Sequence, residues 1–351
     1  MEFSFKDTYR AMIEYQSNGK NTVIYDDFGN PNIMYVIPKQ ALSWFDLGGY
    51  DCSGTHPAFL FHGREVDEIF VGKYVASYMG TTGGVPVSQF GVSPADCIPY
   101  TKMVRDSFKK GRGWHMMQNL EFALFQLQAQ TTGIYPYGNI NDGHGSDYRM
   151  YGKLDTLERS SPHGRRILTG TGPKEFYHDH TFSGVSDLYG NVCCWCGGAK
   201  LVRGELWFAG EENQLMNNWD IDDSECGAND MTGYNKSMVV ISEDCKLTSS
   251  APLGAPKSKG VIVEVNNGIQ VNTANPPSTD AMRSLAVNGM LRHPNEPSRQ
   301  SWVIDRDGVH HICRGERVGS SSVNLLNHIR LSTGDEGGGV YGGFRVCYMN
   351  I

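Results

Sequence analysis

The 42 glycines of this chain are scattered along it without a repeat period. They make up roughly 12% of the residues against a typical ~7%, which demands many tight turns and irregular loops. The lack of a period excludes a collagen-like helix. A hydrophobic fraction of 39% with 20% charged residues lies in the globular range. At 351 residues the chain has room for one large domain and a smaller unit, but not for three ordinary domains.

The formal net charge is −7. No basic stripe of the kind that tracks phosphates is present, so nucleic acid is not an expected partner. The densest basic run, Lys109-Lys110-Gly111-Arg112, is short and reads as a solvated helix end. The N-terminus, Met1 to Asp7, lacks the basic-then-apolar pattern of a signal peptide. No window approaches the ~18 apolar residues that span a bilayer, so membrane insertion is not expected. The nine cysteines are odd in number, and three crowd into Cys193-Cys194-Trp195-Cys196. That pattern argues for free, buried thiols made in a reducing cytoplasm, not for a disulfide framework.

Residues 1–55 read as an N-terminal β unit. Asn21–Tyr25 and Ile33–Ile37 are strand-like, and the turn-forming Asp26-Asp27-Phe28-Gly29-Asn30-Pro31-Asn32 joins them. So small a hairpin must pack on the main domain or on another subunit. The main domain, 56–351, opens with strand-like Ala58–Phe61 and Glu68–Val75. Ser93-Pro94-Ala95-Asp96 looks like a helix start running on to about Lys110. A second helix opens at Asn119, with Leu120, Ala123, Leu124 and Leu127 giving an apolar face. The aperiodic stretch Tyr135 to Asp147 is a long loop of the kind that carries function. Val192–Cys196, Glu205–Ala209 and Gly343–Tyr348 read as strands. Residues 211–300 read as an inserted elaboration holding a strand pair at Val261–Val265 and Ile269–Val271.

Four motifs then recur in order. They are Gly113-Trp114-His115-Met116-Met117-Gln118-Asn119-Leu120-Glu121-Phe122-Ala123, Pro136-Tyr137-Gly138-Asn139, the run Gly184 to Trp195 containing Asp187 and Gly190-Asn191, and Arg314-Gly315 followed by Gly343-Phe344-Arg345. Together they resemble the formylglycine-generating-enzyme-like superfamily. The likeness is to the C-type-lectin-fold variable proteins of diversity-generating retroelements and to phage tail receptor-binding proteins. The resemblance implies an α+β fold of small antiparallel sheets, two helices and many irregular loops. In that fold Trp195 and Phe344 fill the core, and Arg345 pairs with a buried acid or backbone carbonyls.

The same resemblance argues against an enzyme. The copper-binding cysteine positions of the formylglycine-generating enzymes fall on Ser322 and Asn327, if Arg330 marks their following arginine, and neither supplies a soft sulfur ligand. Cys313 and Cys347 lie outside those positions. A calcium site known at the Gly-Asn turn in the superfamily would lose its Glu ligand to Cys194. Cys193 and Cys196, His178 and His180, and the His310-His311 pair read as structural, so no cofactor or metal is expected. The alternatives are an oxidoreductase of the formylglycine-generating type and a structural virion protein.

In retroelement targets the segment between the two arginine motifs carries the ligand contacts. Here it supplies Glu316, Arg317, Val318, Ser320, Ser321, Ser322, Asn324, Asn327, His328, Asp335, Glu336, Gly338, Gly339 and Tyr341. Ser, Asn, Gly and Tyr are the residues antibody loops use for adaptable hydrogen bonds and rigid aromatic contact. The resemblance therefore implies binding of a protein or glycan receptor on a cell surface. The protein would sit on a virion or cell surface, as a possible homo-oligomer or virion component.

Overall fold

Asn21–Tyr25 and Pro31–Pro38 pair antiparallel, with Val23 opposite Ile33. The turn between them closes locally. Asp26 Oδ1 accepts the amides of Phe28 (3.1 Å) and Asn30 (2.9 Å), and Gly29 takes the positive φ of +80° that the bend requires. The structure is a computed structural model, and it describes residues 5–61, 63–156, 164–209, 235–249, 263–266, 268–293, 300–319, 325–332 and 342–351.

The hairpin packs on the main body. Pro31–Pro38 pairs with Glu68–Gly72, which pairs with the C-terminal strand Val346–Tyr348, which pairs in turn with Trp114–Met116. The result is a five-stranded antiparallel sheet drawn from both ends of the chain. A helix that the sequence reading missed, α1 (Phe5–Gln16), lies against the hairpin. It is tied there by Arg10 Nε donating to the Val23 carbonyl (3.0 Å) and Thr22 Oγ1 donating to Glu14 (2.6 Å).

A second, larger sheet runs in the order Val263–Asn266, Ser301–Ile304, His328–Leu331, Val309–Arg314, Cys193–Val202, Glu205–Phe208, Asn235–Ile241, Lys246–Ser249, Gln270–Val271. Gly342–Gly343 adds in parallel beside Cys193 and Cys194. The long strand Cys193–Val202 is buried on both faces. Its two-residue period sends Cys193 and Trp195 into one apolar cluster, and Cys194 and Cys196 into another. Trp195 and Phe344 are core residues, in one cluster with Tyr100, Met103 and Trp114. The architecture is thus mixed α+β.

Several boundaries differ from the sequence reading. Helix α2 spans Tyr100–Phe108 and begins after Pro99, not at Ser93. The Ser93 hydroxyl instead donates to the Asp155 carboxylate. Glu68–Gly72 stops short of Val75, and at Gly72 a Cβ would press on the Val346 carbonyl (2.8 Å). Helix α3 (Asn119–Thr132) starts where expected and ends at Gly133 in the left-handed conformation. It is buried nearly all round, Asn119, Glu121 and Gln126 included.

The segments near 263 and 270 are not partners. One pairs with Ser301–Ile304 and the other with Lys246–Ser249. The described part of 211–300 supplies strands to the large sheet and one helix packed on the core. Helix α4 (Thr279–Val287), capped by Ser278 accepting the Ala281 amide (3.2 Å), buries Leu285. Among the described residues no helix is long and apolar enough to cross a membrane.

Candidate functional site

The second and third motifs meet in space. Asn191 follows Gly190, and both adopt positive φ, as does Asp187. In that conformation the Asn191 amide donates to the Asn139 carbonyl (2.7 Å). The Asn191 side chain brackets Ile167, accepting from its amide (2.8 Å) and donating to its carbonyl (3.0 Å). Asn139 Nδ2 donates to the Arg165 carbonyl (2.9 Å) and to Asn191 Oδ1 (3.2 Å), while its Oδ1 accepts the Gly143 amide (2.8 Å). Gly138 is pressed so close to Tyr189 that a Cβ would overlap the Tyr189 carbonyl oxygen. Two buried asparagines therefore lock three loops into one knot, with nearly every donor and acceptor used.

The expected ligand segment springs from this knot. The Val318 amide donates to the Asn191 carbonyl (3.2 Å), and the Gly319 amide to the Ile140 carbonyl (2.9 Å). Further along, His328 Nδ1 lies 3.0 Å from Glu316 Oε1 and 2.8 Å from Ser301 Oγ. Glu316, Val318, Asn327 and His328 are buried, and Arg317 is half-buried. The four buried side chains anchor the segment and do not face solvent. Ser320, Ser321, Ser322, Asn324, Asp335, Glu336, Gly338, Gly339 and Tyr341 lie outside the described residues.

Beside the root of this segment lies the loop Asn139–Tyr151. Asp142 (φ +47°) and Gly143 (φ +92°) make a tight reversal between Asn141 and His144. The loop presents Tyr148 and Tyr151, each 65% exposed. The sequence reading singled out this stretch as a functional loop but stopped at Asp147. Tyr148 and Tyr151, which follow the Asp142-Gly143 turn, fall just beyond that stretch.

Other clusters have the chemistry of struts. His115, Glu121 and Cys347 bring three ligand-type atoms within 4.8 Å of one another, all buried, and they are the one such trio among the described residues. Their polar atoms are engaged. His115 Nδ1 donates to the Gly113 carbonyl (2.9 Å), Nε2 faces Glu121 Oε1 (2.9 Å), and Glu121 Oε2 accepts the Gln118 amide (2.8 Å). Burial pushes the Cys347 thiol well above its usual range, and the Glu121 charge adds to the shift. A metal there would have to displace that proton and break the His–Glu contact.

The Ser301, His328 and Glu316 side chains meet, but both partners share Nδ1. A serine nucleophile and an orienting acid need opposite ring nitrogens, so this is no proton relay. Cys193, Cys194, Cys196 and Cys313 are buried thiols, and burial pushes Cys196 and Cys313 well above the usual range. Burial of this kind keeps Cys196 and Cys313 protonated and unreactive, while the Cys196 hydrogen bond and the Arg345 charge draw the Cys194 thiol below its usual range.

Both motif arginines are structural. Arg314 donates to Asn119 Oδ1 (2.9 Å) and to the Gly289 carbonyl (2.9 Å), and Arg345 donates to the carbonyls of Gly72 (3.1 Å), Lys73 (3.2 Å) and Ser186. Arg345 thus meets carbonyls, one of the two partner types expected for it. His178 and His180 do not share a strand face. His178 sits edge-on to Tyr35 and Phe125, while His180 adopts φ +54° and contacts the Tyr135 carbonyl (3.0 Å). His310 and His311 are buried in a strand, and His311 stacks on Tyr100 at 3.5 Å.

Beside the expected ligand segment, the Asn139–Tyr151 loop presents Tyr148 and Tyr151 to solvent. Neither a protein-family model nor a curated protein matches this chain.

Proposed function

We propose that this protein is a non-enzymatic recognition protein of the C-type-lectin-fold variable or phage-tail receptor-binding kind. The surface around Glu316–Tyr341 is its reading face, and the site is a virion or a cell surface. The observation that carries this reading is the way the segment is rooted. Its first residues hydrogen-bond to the Asn139–Asn191 knot, and its later strand is pinned through His328 to Glu316 and Ser301. Residues held to the core in this way fix where the segment leaves the fold, so side chains elsewhere in it can vary without disturbing those anchors. Cys193, Cys194, Cys196, Cys313 and Cys347 are buried, which supports a binding role over chemistry at those thiols.

The test uses full-length protein on a panel of intact cells and purified surface proteins. A specific, saturable partner is expected. Exchanging Ser320, Ser321, Ser322, Asn324, Asp335, Glu336 and Tyr341 should change which partner is bound while leaving the melting temperature in place. Absence of any specific partner sinks the proposal. A near-copy of the last coding stretch beside a reverse transcriptase gene, differing at adenines, would test diversification separately.

A further inference from the structure

Tyr148 and Tyr151 differ from the other exposed apolar residues in sharing one small, rigid loop. His144 contacts both, with ring centroids 5.1 Å from Tyr148 and 5.9 Å from Tyr151. The backbone beneath is fixed on every side. His144 exchanges hydrogen bonds with Asn141 (2.9 and 3.1 Å), the Gly145 amide donates to the Met150 carbonyl (2.8 Å), and the Gly152 amide donates to the Gly143 carbonyl (2.9 Å). Asn139 then holds the Gly143 amide from the core side. These rings are displayed to water by a framework that prevents their collapse, so little ordering remains to be done when a ligand arrives.

The polar groups around the rings are also in place. Asn141 Nδ2 donates to the Tyr148 hydroxyl (2.6 Å). Arg149 donates to Asp147 through Nε (3.1 and 3.0 Å) and Nη2 (2.6 Å). That arginine holds the Asp147 carboxyl down to about 2, so the pair is doubly ionised and locally neutral across the physiological range. Two tyrosines exposed to this degree offer roughly 200–300 Å² of ring surface. A stable protein partner needs about 800 Å² on each side. The platform alone is therefore the size of one or two sugar rings.

We propose that His144, Tyr148 and Tyr151 form a stacking platform for a neutral pyranose residue of a glycan, with Asn141, Asp147 and Arg149 meeting its hydroxyls. A pyranose has one face of C–H bonds, which suits the electron-rich face of an aromatic ring. Its edge of hydroxyls both donates and accepts, matching an amide, a carboxylate and a guanidinium. The cancelled charges of Asp147 and Arg149 disfavour an anionic sugar. The inference rests on the recognition reading above and names a ligand class for the same face.

The probes are lactose, maltose, cellobiose and diacetylchitobiose, with sialyllactose as the anionic comparison. Each is titrated into the full chain and followed by saturation-transfer NMR. At least one neutral disaccharide is expected to bind in the millimolar range. Tyr148→Ala and Tyr151→Ala should each weaken it about five- to tenfold, and Tyr148→Phe should retain most of the affinity because the ring remains. Unchanged melting temperatures would show that the variants are folded. Binding of none of the neutral sugars, binding of sialyllactose alone, or affinity indifferent to both alanine variants overturns the inference. If the wild type and both variants still bind a cell-surface partner in that event, the recognition reading stands without the sugar. If nothing binds a cell surface while a neutral sugar does, the platform stands and the receptor reading falls.

Discussion

Lys110 Nζ lies 2.8 Å from Asp26 Oδ2, and both side chains are sealed from solvent. The same ammonium donates to the Pro86 carbonyl (2.6 Å) and to Asn32 Oδ1 (3.1 Å), and it sits over the Trp114 ring. In the sequence this lysine belonged to a basic run that looked like a solvated helix end. In the fold it fastens the N-terminal hairpin to the end of α2.

Lys110→Met should lower stability by about 3–5 kcal/mol at neutral pH, because it strands Asp26 in the interior. The pH dependence carries a second signature. Burial pushes the Lys110 ammonium down to about 8 from 10.5, against the pull of Asp26. Below pH 8 both states keep the proton. Between about 8 and 10.5 the unfolded chain binds more protons than the folded one, so this lysine makes stability rise with pH there. Urea unfolding at pH 8 and pH 10 should show a rise in the wild type that is smaller in Lys110→Met.

Glu121 holds His115 Nε2 and the Gln118 amide at the start of α3, beside the Cys347 thiol. Glu121→Ala should cost about 3 kcal/mol or more, since the helix-end amide loses its acceptor and the buried His115 Nε2 loses its partner. Glu121→Gln keeps one carbonyl acceptor and should recover part of the loss. Equal losses in chemical denaturation would show that the His115 contact contributes nothing.

Asn191 holds φ +65° and bonds Ile167 through both ends of its side chain. Asn191→Ala should lose about 2–4 kcal/mol, from the hydrogen bonds and from forcing Ala into the left-handed region. Asn191→Gly loses the same bonds without that backbone cost, so it should be about 1 kcal/mol more stable than the alanine variant. Thermal unfolding of the pair separates the two contributions.

Gly138→Ala places a methyl on the Tyr189 carbonyl. The knot cannot relax without breaking the Asn139–Asn191 contacts, so a loss of at least about 3 kcal/mol is expected. A soluble variant with a wild-type melting temperature would show that the two loops are not packed as described.

Much of the local structure was legible in the residues. The spacing of Leu120, Ala123, Leu124 and Leu127 with Gly133 behind them marked α3, and the turn formers around Gly29 marked the hairpin. Helix α1 and helix α4 were not legible. The first has no buried residue to impose a pattern, and the second sits inside a long polar stretch. Ser93 looked like a helix cap, yet its hydroxyl goes to Asp155, 62 positions away. Ligand contacts assigned by position in the segment included Glu316, Val318, Asn327 and His328, which are buried; His328 lies on a strand paired on both sides in the large sheet.

By itself the sequence determined where the chain bends and which short stretches form helix or strand, since those follow from φ preferences and from spacing within a few residues. Only the tertiary structure decided that Asn139 meets Asn191, that Lys110 is buried, and that two tyrosines stand in water beside the rooted segment. Those outcomes depend on which distant carbonyls, charges and rings arrive at the same place, and no local pattern encodes that.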